Sequence, residues 1–165
     1  MDEKKAAGKP AEKKKAVKEE KPASGKIAVV RVRGGIGMAP DAQKTLKMLN
    51  LYNKNWCVVI DATPSNLGMI RRAKDYVTWG EISDEVHQEM IEKRGEEFTE
   101  RTEDSKKKIQ YRRYFTHNKK KYRKYFRLSP PRKGYGNNGV KMSFSKNGAL
   151  GYRAAKINDL IKRMM

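Results

Sequence analysis

Residues 29–49 read VVRVRGGIGMAPDAQKTLKML, a β-branched run followed by glycines and then by a segment with helical spacing. The alternation in residues 27–33 places Ala28, Val30 and Val32 on one face, which predicts a strand with one face on the core. Pro40 suits a first helical position, and the Asp41 carboxylate complements the positive start of a helix. The stretch therefore predicts a strand, a glycine turn and a helix that covers the sheet.

The same alternation of elements continues along the chain. NWCVVID (55–61) and VTWG (77–80) are β-rich, and between them a helix is predicted to open around Pro64. SDEVHQEMIEKRG (83–95) predicts a further helix that ends at Gly95, and residues 151–165 predict a closing helix with an apolar stripe. The pattern indicates an α+β layer sandwich with a β-α-β-α-β core.

We divide the chain into three parts. Residues 1–25, rich in Lys, Glu and Ala, have almost nothing to bury and are predicted to form a disordered arm. Residues 26–82 form the core domain. Residues 83–165 form a helical and loop extension, expected to pack on the core and on a bound partner. Within it, KKKIQYRRYFTHNKKKYRKYFR (106–127) contains no acid, and its aromatic residues return at roughly helical intervals. We expect those rings mostly to pack and the cations to meet phosphate.

Charge is the dominant property of the composition. The 165 residues include 39 Lys and Arg against 19 Asp and Glu, a formal net charge of +20, and only 37% are hydrophobic. A small core with this charge repels itself unless an anionic partner is bound. No apolar stretch approaches the length of a membrane span and no secretory signal opens the chain, so we expect a cytoplasmic protein. One cysteine and two histidines favour neither a disulfide nor a metal site.

An enzyme is the least favoured interpretation. The GGIG turn lacks the third glycine of a dinucleotide fingerprint, and no P-loop follows it. Cys57 lies at an apolar strand position, where a buried structural thiol is expected. His87 stands among acids and is expected to be solvated, and His117 has no neighbouring carboxylate to orient it as a base. We therefore predict no catalytic residues, no cofactor, no metal and no small-molecule substrate.

Nucleic acid is the polyanion that best fits the remaining features. Lys and Arg neutralise phosphates and release condensed counterions, while aromatic rings and arginine planes stack on unpaired bases. No zinc finger, heptad zipper, helix-turn-helix or RNP aromatic pattern is evident. Extended basic loops on a small domain favour an RNA of fixed shape, and a nonspecific chromatin-like DNA binder is the alternative.

KTLKMLNLYNKNWCVVIDATPSNLGMIRRAKDYVTWGEIS (44–83), FRLSPPRKGYG (126–136) and GALGYRAAKINDLIKRM (148–164) together carry a resemblance. In this order they resemble the L-thirty family of large-subunit ribosomal proteins, in its archaeal and eukaryotic form. The resemblance implies a ferredoxin-like-related fold with a mainly antiparallel three-stranded sheet and helices on one face. It also implies a noncatalytic role: binding large-subunit ribosomal RNA, beside neighbouring ribosomal proteins, and fixing its tertiary fold.

The resemblance also implies particular RNA contacts. These are Arg31, Arg33, Gly34 and Gly35 on the first strand and turn, Arg71, Arg72 and Lys74 on the second helix, and Arg127, Arg132 and Lys133 in the carboxyl-terminal loop. Gly68 weakens that second helix, which close approach of an RNA backbone would explain. Local charge adds Lys44, Lys47, Lys106, Lys107, Lys108, Arg112, Arg113, Lys119, Lys120, Lys121, Arg123, Lys124, Lys141 and Arg153.

Overall fold

A computed structural model of the protein describes residues 25–111 and 113–165. The arm predicted over residues 1–25 therefore lies, apart from Gly25, outside the described residues, as does Arg112. The strands are β1 (Lys26–Arg31), β2 (Trp56–Asp61), β3 (Val77–Glu81), β4 (Tyr114–His117), β5 (Lys120–Arg123), β6 (Phe126–Arg127) and β7 (Gly151–Tyr152). The helices are α1 (Pro40–Met48), α2 (Pro64–Arg72), α3 (Asp84–Arg94) and α4 (Ile157–Met164).

A five-stranded sheet in the order β6-β2-β1-β3-β7 organises the fold. Strand β1 pairs antiparallel with β2 and with β3, so the expected three-stranded antiparallel core is confirmed. Two short strands from the carboxyl-terminal half widen it. β6 pairs antiparallel with β2, and β7 pairs parallel with β3. The extension thus completes the sheet of the core.

Strand β1 is covered on both faces, whereas its alternation predicted only one. Ile27 and Val29 pack with residues of α1 and α2, including Leu46 and Ile70. Ala28 and Val30 pack on the opposite side, in a cluster that takes in residues of α3 and α4. The two helices of the core domain therefore lie on one face, as expected, and the extension covers the other.

Local sequence signals account for several helix boundaries. Helix α2 begins with Pro64 at its first position, and the Thr63 side chain accepts a hydrogen bond from Asn66 N at 3.3 Å.

The carboxyl-terminal segment packs closely on β3 at Gly80, where an added Cβ would lie 2.2 Å from the Ala154 carbonyl oxygen. Only glycine allows this approach.

Residues 106–127 do not form the helix that their aromatic spacing suggested. β4 and β5 pair antiparallel, with Tyr114 opposite Arg123 and His117 opposite Lys120. Asn118 and Lys119 form the turn between them, both with positive φ, of 47° and 63°. Two consecutive residues in this conformation match the twist of a two-residue hairpin, which explains why the chain reverses there.

Candidate nucleic-acid interface

The glycine loop (residues 32–39) is anchored to the segment that follows α2. The backbone N–H groups of Val32 and Arg33 donate to the Tyr76 carbonyl at 2.9 and 3.2 Å. The Arg33 side chain lies over the Tyr76 ring, 5.1 Å from its centroid, and donates to the Asp75 carbonyl at 3.1 Å. Arg33 is therefore held at the surface, beside the basic end of α2.

The outer face of α2 presents the cations expected there. Arg71, Arg72 and Lys74 are exposed, and so is Gly68, beside which a Cβ would meet no atom within 4 Å. Lys44 and Lys47 are exposed on α1, which packs beside α2. These helices and the glycine loop place cations on one side of the sheet.

Arg31, in contrast, is only 6% exposed. Its Nε donates to the Arg33 carbonyl at 2.9 Å, and its Nη1 donates to the carbonyls of Leu51 at 2.8 Å and Tyr52 at 2.5 Å. Burial lowers the pKa of the guanidinium. Arg31 therefore does not form part of an open cationic surface; it ties together the two loops that flank α1.

Arg153 is also buried, at 4% exposure, which removes it from the expected RNA-facing cations. Its Nε donates to Thr78 Oγ1 at 2.9 Å, and its Nη2 donates to the carbonyls of Tyr135, Gly148 and Ala149 at 3.0 to 3.3 Å. The guanidinium also lies over the Phe144 ring. Its role is to hold the carboxyl-terminal loop against β3.

Acids from residues 96–100 pair with the cations of the 106–127 segment, although that segment contains no acid itself. Glu96 lies 3.1 Å from Arg127 Nε and 3.9 Å from Arg123 Nε. Arg123 Nη2 also lies 3.0 Å from Glu100, and Lys120 Nζ lies 3.1 Å from Glu97. Three of the expected RNA contacts are thus partly neutralised within the protein.

The aromatic residues of the 106–127 segment mostly pack, as expected. Phe126 is 1% exposed in the core, and Phe115 and Tyr122 pack against the same cluster. Tyr125 stacks on Trp56 with 4.4 Å between ring centroids, and the Arg127 guanidinium lies over both rings. These rings support the hairpin and are not arranged as an open platform for bases.

The other expected contacts lie at or near the surface, outside the core. Lys106, Lys107, Lys108, Arg113, Lys119, Lys121, Arg132, Lys133 and Lys141 are exposed, and Lys124 is half-buried. Lys121 Nζ lies 4.9 Å from the centroid of the Tyr114 ring, and Arg113 lies over Tyr111. The structure therefore separates the cations into the face of α1, α2 and the glycine loop, the hairpin with its preceding loop, and the carboxyl-terminal loop.

The groups considered for catalysis are placed for packing. Cys57 is fully buried, and burial raises the pKa of its thiol to about 12. His87 is half-buried rather than solvated, with ring centroids of Phe115 and Phe126 within 6.5 Å. Within the described residues, no cluster of three or more His, Cys, Asp and Glu side chains is placed to hold a metal ion. No helix in the described part of the chain has the length and apolar character needed to cross a membrane.

Comparison with known proteins agrees with the fold. Residues 27–77 match the family described as ribosomal protein L30p/L7e. Relatives named large ribosomal subunit protein uL30 align over most of the chain. The one from Methanopyrus kandleri is 40% identical over 149 residues, covering 81% of this chain and 100% of its own. Those from Methanococcus maripaludis (44%) and Nanoarchaeum equitans (40%) cover 84% and 82% of this chain and 98% and 96% of their own.

The chain belongs to the ribosomal protein L30p/L7e family. This membership confirms the resemblance that the sequence motifs carried, together with the α+β fold and the expectation of a ribosomal protein. The comparisons support neither the chromatin-like alternative nor the nucleotide-binding enzyme.

The positions of two groups of residues in this L30p/L7e protein were not predicted from its sequence. Glu96, Glu97 and Glu100 were not predicted to contact the 106–127 segment, and only the pairing of residues 96–98 with β5 brings them to the hairpin cations. Lys54, Tyr52 and Gln43 line a pocket beside the glycine loop. Lys54 lies between two asparagines, apart from the basic runs of the sequence.

Proposed function

We propose that this protein is a structural, noncatalytic constituent of the large ribosomal subunit that binds ribosomal RNA and stabilises its tertiary fold in the cytoplasm. The observation that carries the proposal is the group of exposed cations on the face of α1, α2 and the glycine loop, in a chain of the L30p/L7e family. Neighbouring ribosomal proteins are the other expected partners.

Phosphate neutralisation is the chemistry that this face supplies. Arg72 and Lys74 are exposed near the end of α2, and Arg33 is fixed beside them through its contacts with Asp75 and Tyr76. A fixed guanidinium loses less side-chain freedom when it meets a phosphate, which favours the contact. The exposed Gly68 leaves room for a nucleic-acid backbone to approach α2.

The hairpin is proposed to contribute in a different way. Arg123, at its base, pairs with Glu96 and Glu100, whereas Lys119 in the turn and Lys121 in β5 are exposed. Lys120, next to the turn, pairs with Glu97. We infer that the base is a protein-packed support and that the turn reaches phosphate. This assignment predicts that removal of a cation far from these acids weakens RNA binding more than removal of a cation that pairs with them.

Co-sedimentation tests the function directly. A tagged full-length protein, expressed in its own cells, should migrate with large subunits on a sucrose gradient. Ribonuclease should release it, and deoxyribonuclease should not. Migration at the top of the gradient while the ribosomes are intact, or release by deoxyribonuclease alone, would overturn the proposal.

A charge-matched pair of variants tests the assigned face. Arg72→Gln with Lys74→Gln removes two cations from the α2 face, and Lys93→Gln with Lys162→Gln removes two from α3 and α4, across the sheet. Each lost phosphate contact lowers the slope of log affinity against log salt by about 0.7–0.9. We expect this loss for the first pair only. Equal losses for both pairs would show that net charge, and not this face, determines binding.

A further inference from the structure

A pocket opens between the glycine loop, α1 and the loop that leads into β2. Its volume is about 410 Å³, and its lining includes Arg31, Gly35, Leu46, Lys47 and Lys54. Three of its lining residues are cations, and no aspartate or glutamate is among the described residues that line it. We call it the Arg31 pocket. Volumes in this range are typical of sites that enclose a small ligand.

The guanidinium of Arg31 gives the pocket an unusual donor. Nε and both hydrogens of Nη1 have carbonyl acceptors, since Nε donates to Arg33 and Nη1 to Leu51 and Tyr52. Among the described residues, no acceptor and no carboxylate pairs with Nη2. The two N–H groups of Nη2 therefore have no protein partner and open into the pocket, although Arg31 as a whole is only 6% exposed. A buried charge without a counter-charge is costly, and an anion beside Nη2 would reduce that cost.

The walls of the Arg31 pocket combine charge with apolar surface. Lys47 and Lys54 supply two further cations, and the half-buried Met38 supplies apolar surface above the buried Leu46 and Leu51. Tyr52, 49% exposed, also lines the pocket, with its ring edge-on to Trp56 at a centroid distance of 5.8 Å. An inorganic anion would contact only the cations of the pocket. A nucleotide would contact the cations through its phosphate and the apolar or aromatic surface through its base.

We propose that the Arg31 pocket receives one unpaired nucleotide of the ribosomal RNA, with its phosphate on Arg31 Nη2 and the two lysines and its base against the apolar wall. This inference rests on the proposed function and assigns a place for one base within it. The three carbonyl bonds hold Nη2 in position before the RNA arrives, so the site is preorganised.

Two neighbouring glycines provide a matched test. A Cβ at Gly35 would lie 3.2 Å from Arg31 Nη2, whereas a Cβ at Gly34 would meet no atom within 4 Å. Both glycines are exposed, and neither is among the residues with positive φ, so alanine fits the backbone at each. The methyl group of Gly35→Ala therefore covers the donor, and that of Gly34→Ala does not.

The experiment is chemical probing of the protein's own large-subunit RNA, free and bound to the full-length protein. We expect the wild type and Gly34→Ala to protect the same nucleotides. Gly35→Ala should expose one unpaired nucleotide and bind about fivefold to tenfold more weakly, as expected for the loss of a stacked base with its phosphate contact. Lys47→Gln should act similarly, and Lys162→Gln, on α4 and outside the pocket, should not.

The outcomes separate this inference from the function on which it rests. Identical footprints for the two alanine variants, with Lys47→Gln also matching Lys162→Gln, would overturn the pocket while leaving RNA binding intact. No footprint with the wild type would overturn the proposed function itself. A titration with adenosine 5′-monophosphate, followed by the Gly35 amide resonance, tests a free nucleotide. Saturable binding there without any change in the RNA footprint of Gly35→Ala would assign the pocket to free nucleotides instead.

Discussion

The side chains of Arg153 and Thr78 join the carboxyl-terminal loop to the core sheet. Arg153 Nε donates to Thr78 Oγ1 at 2.9 Å, and Thr78 Oγ1 donates to the Gly151 carbonyl at 2.8 Å. Thr78 is fully buried in β3, and Arg153 follows β7. A cation that the sequence placed among the RNA contacts therefore fixes the register of the edge strand.

Replacement of Arg153 by Met should destabilise the protein. The change leaves two buried carbonyl groups, the part-buried Tyr135 carbonyl and Thr78 Oγ1 without their donor, so we expect the free energy of unfolding to fall by about 2–4 kcal/mol. Urea denaturation measures this loss. The salt dependence of RNA binding, measured under conditions in which the variant is folded, should not change.

Arg132→Met is the matched control, because it removes the same charge from an exposed site. Its unfolding free energy should stay within about 0.5 kcal/mol of the wild type. Its salt slope for RNA binding should fall by about 0.7–0.9, if Arg132 contacts a phosphate. A stable Arg153→Met variant with a lowered slope would contradict the buried, structural role of Arg153.

Glu96→Gln should strengthen RNA binding. Glu96 lies 3.1 Å from Arg127 Nε and 3.9 Å from Arg123 Nε, so its removal leaves these cations less neutralised. We expect affinity to rise by about threefold at low ionic strength and the gain to vanish at high salt. Because the pairs are partly exposed, the loss of stability should stay below about 1 kcal/mol. Filter binding at two salt concentrations measures the gain.

Glu92→Gln controls for net charge in that comparison, since Glu92 is an exposed acid of α3. It should give a smaller gain than Glu96→Gln. Weaker binding by Glu96→Gln would show the opposite relationship, in which the carboxylate orients the two arginines for RNA.

Local signals were sufficient for the core elements. The helix start at Thr63 and Pro64 and the acidic first turn of α3 depend on a few neighbouring residues, and each formed where the sequence placed it. The burial of Arg31, in contrast, was not predicted from the sequence. Its alternation correctly placed it with Ile27 and Val29, but the unbroken apolar run at residues 27–30 is typical of a strand covered on both faces. The apolar run thus predicts burial of both faces of the strand, whereas the alternation predicts burial of only one.

Long-range pairing decided the parts that the sequence did not predict. β6 and β7 have two residues each and exist only because β2 and β3 lie beside them. The aromatic residues near β4 and β5 recur at intervals compatible with a helix, yet the turn at Asn118 and the packing of Phe115 on the core favour a hairpin. Tertiary contacts likewise place Glu96 beside Arg127. This pairing cannot be predicted from the charges of neighbouring residues in the sequence.

Gly68→Ala should make the free protein more stable and its complex with RNA weaker. Alanine is favoured over glycine in a helix interior by up to about 1 kcal/mol, and the added Cβ meets no protein atom within 4 Å. The unfolding free energy should therefore rise. If an RNA backbone approaches α2 at this position, the methyl group should reduce affinity for RNA.

Gly68→Ala is expected to change stability and RNA affinity in opposite directions, which separates a binding effect from a folding effect. A loss of affinity in a protein of increased stability cannot come from misfolding. Urea denaturation and filter binding on the same preparation measure the two effects. Unchanged affinity would place the RNA backbone away from Gly68, and the glycine would then have no binding role.

The stability of the protein should fall as the pH decreases through the titration range of His87. Burial, followed by the charge of Lys26, lowers the pKa of His87 below its ordinary value of 6.5. Asp84 acts in the opposite direction, and His117 acts in the same direction as Lys26. Because the unfolded chain binds the proton at higher pH, the stabilisation is complete above pH 6.5 and is lost below it. Urea denaturation at about pH 7.5 and about pH 5.5 measures the difference, within a range where unperturbed carboxylates stay ionised. His87→Gln should remove most of this difference, whereas His117→Gln should retain most of it. An unchanged difference in His87→Gln would mean that another group carries the pH dependence.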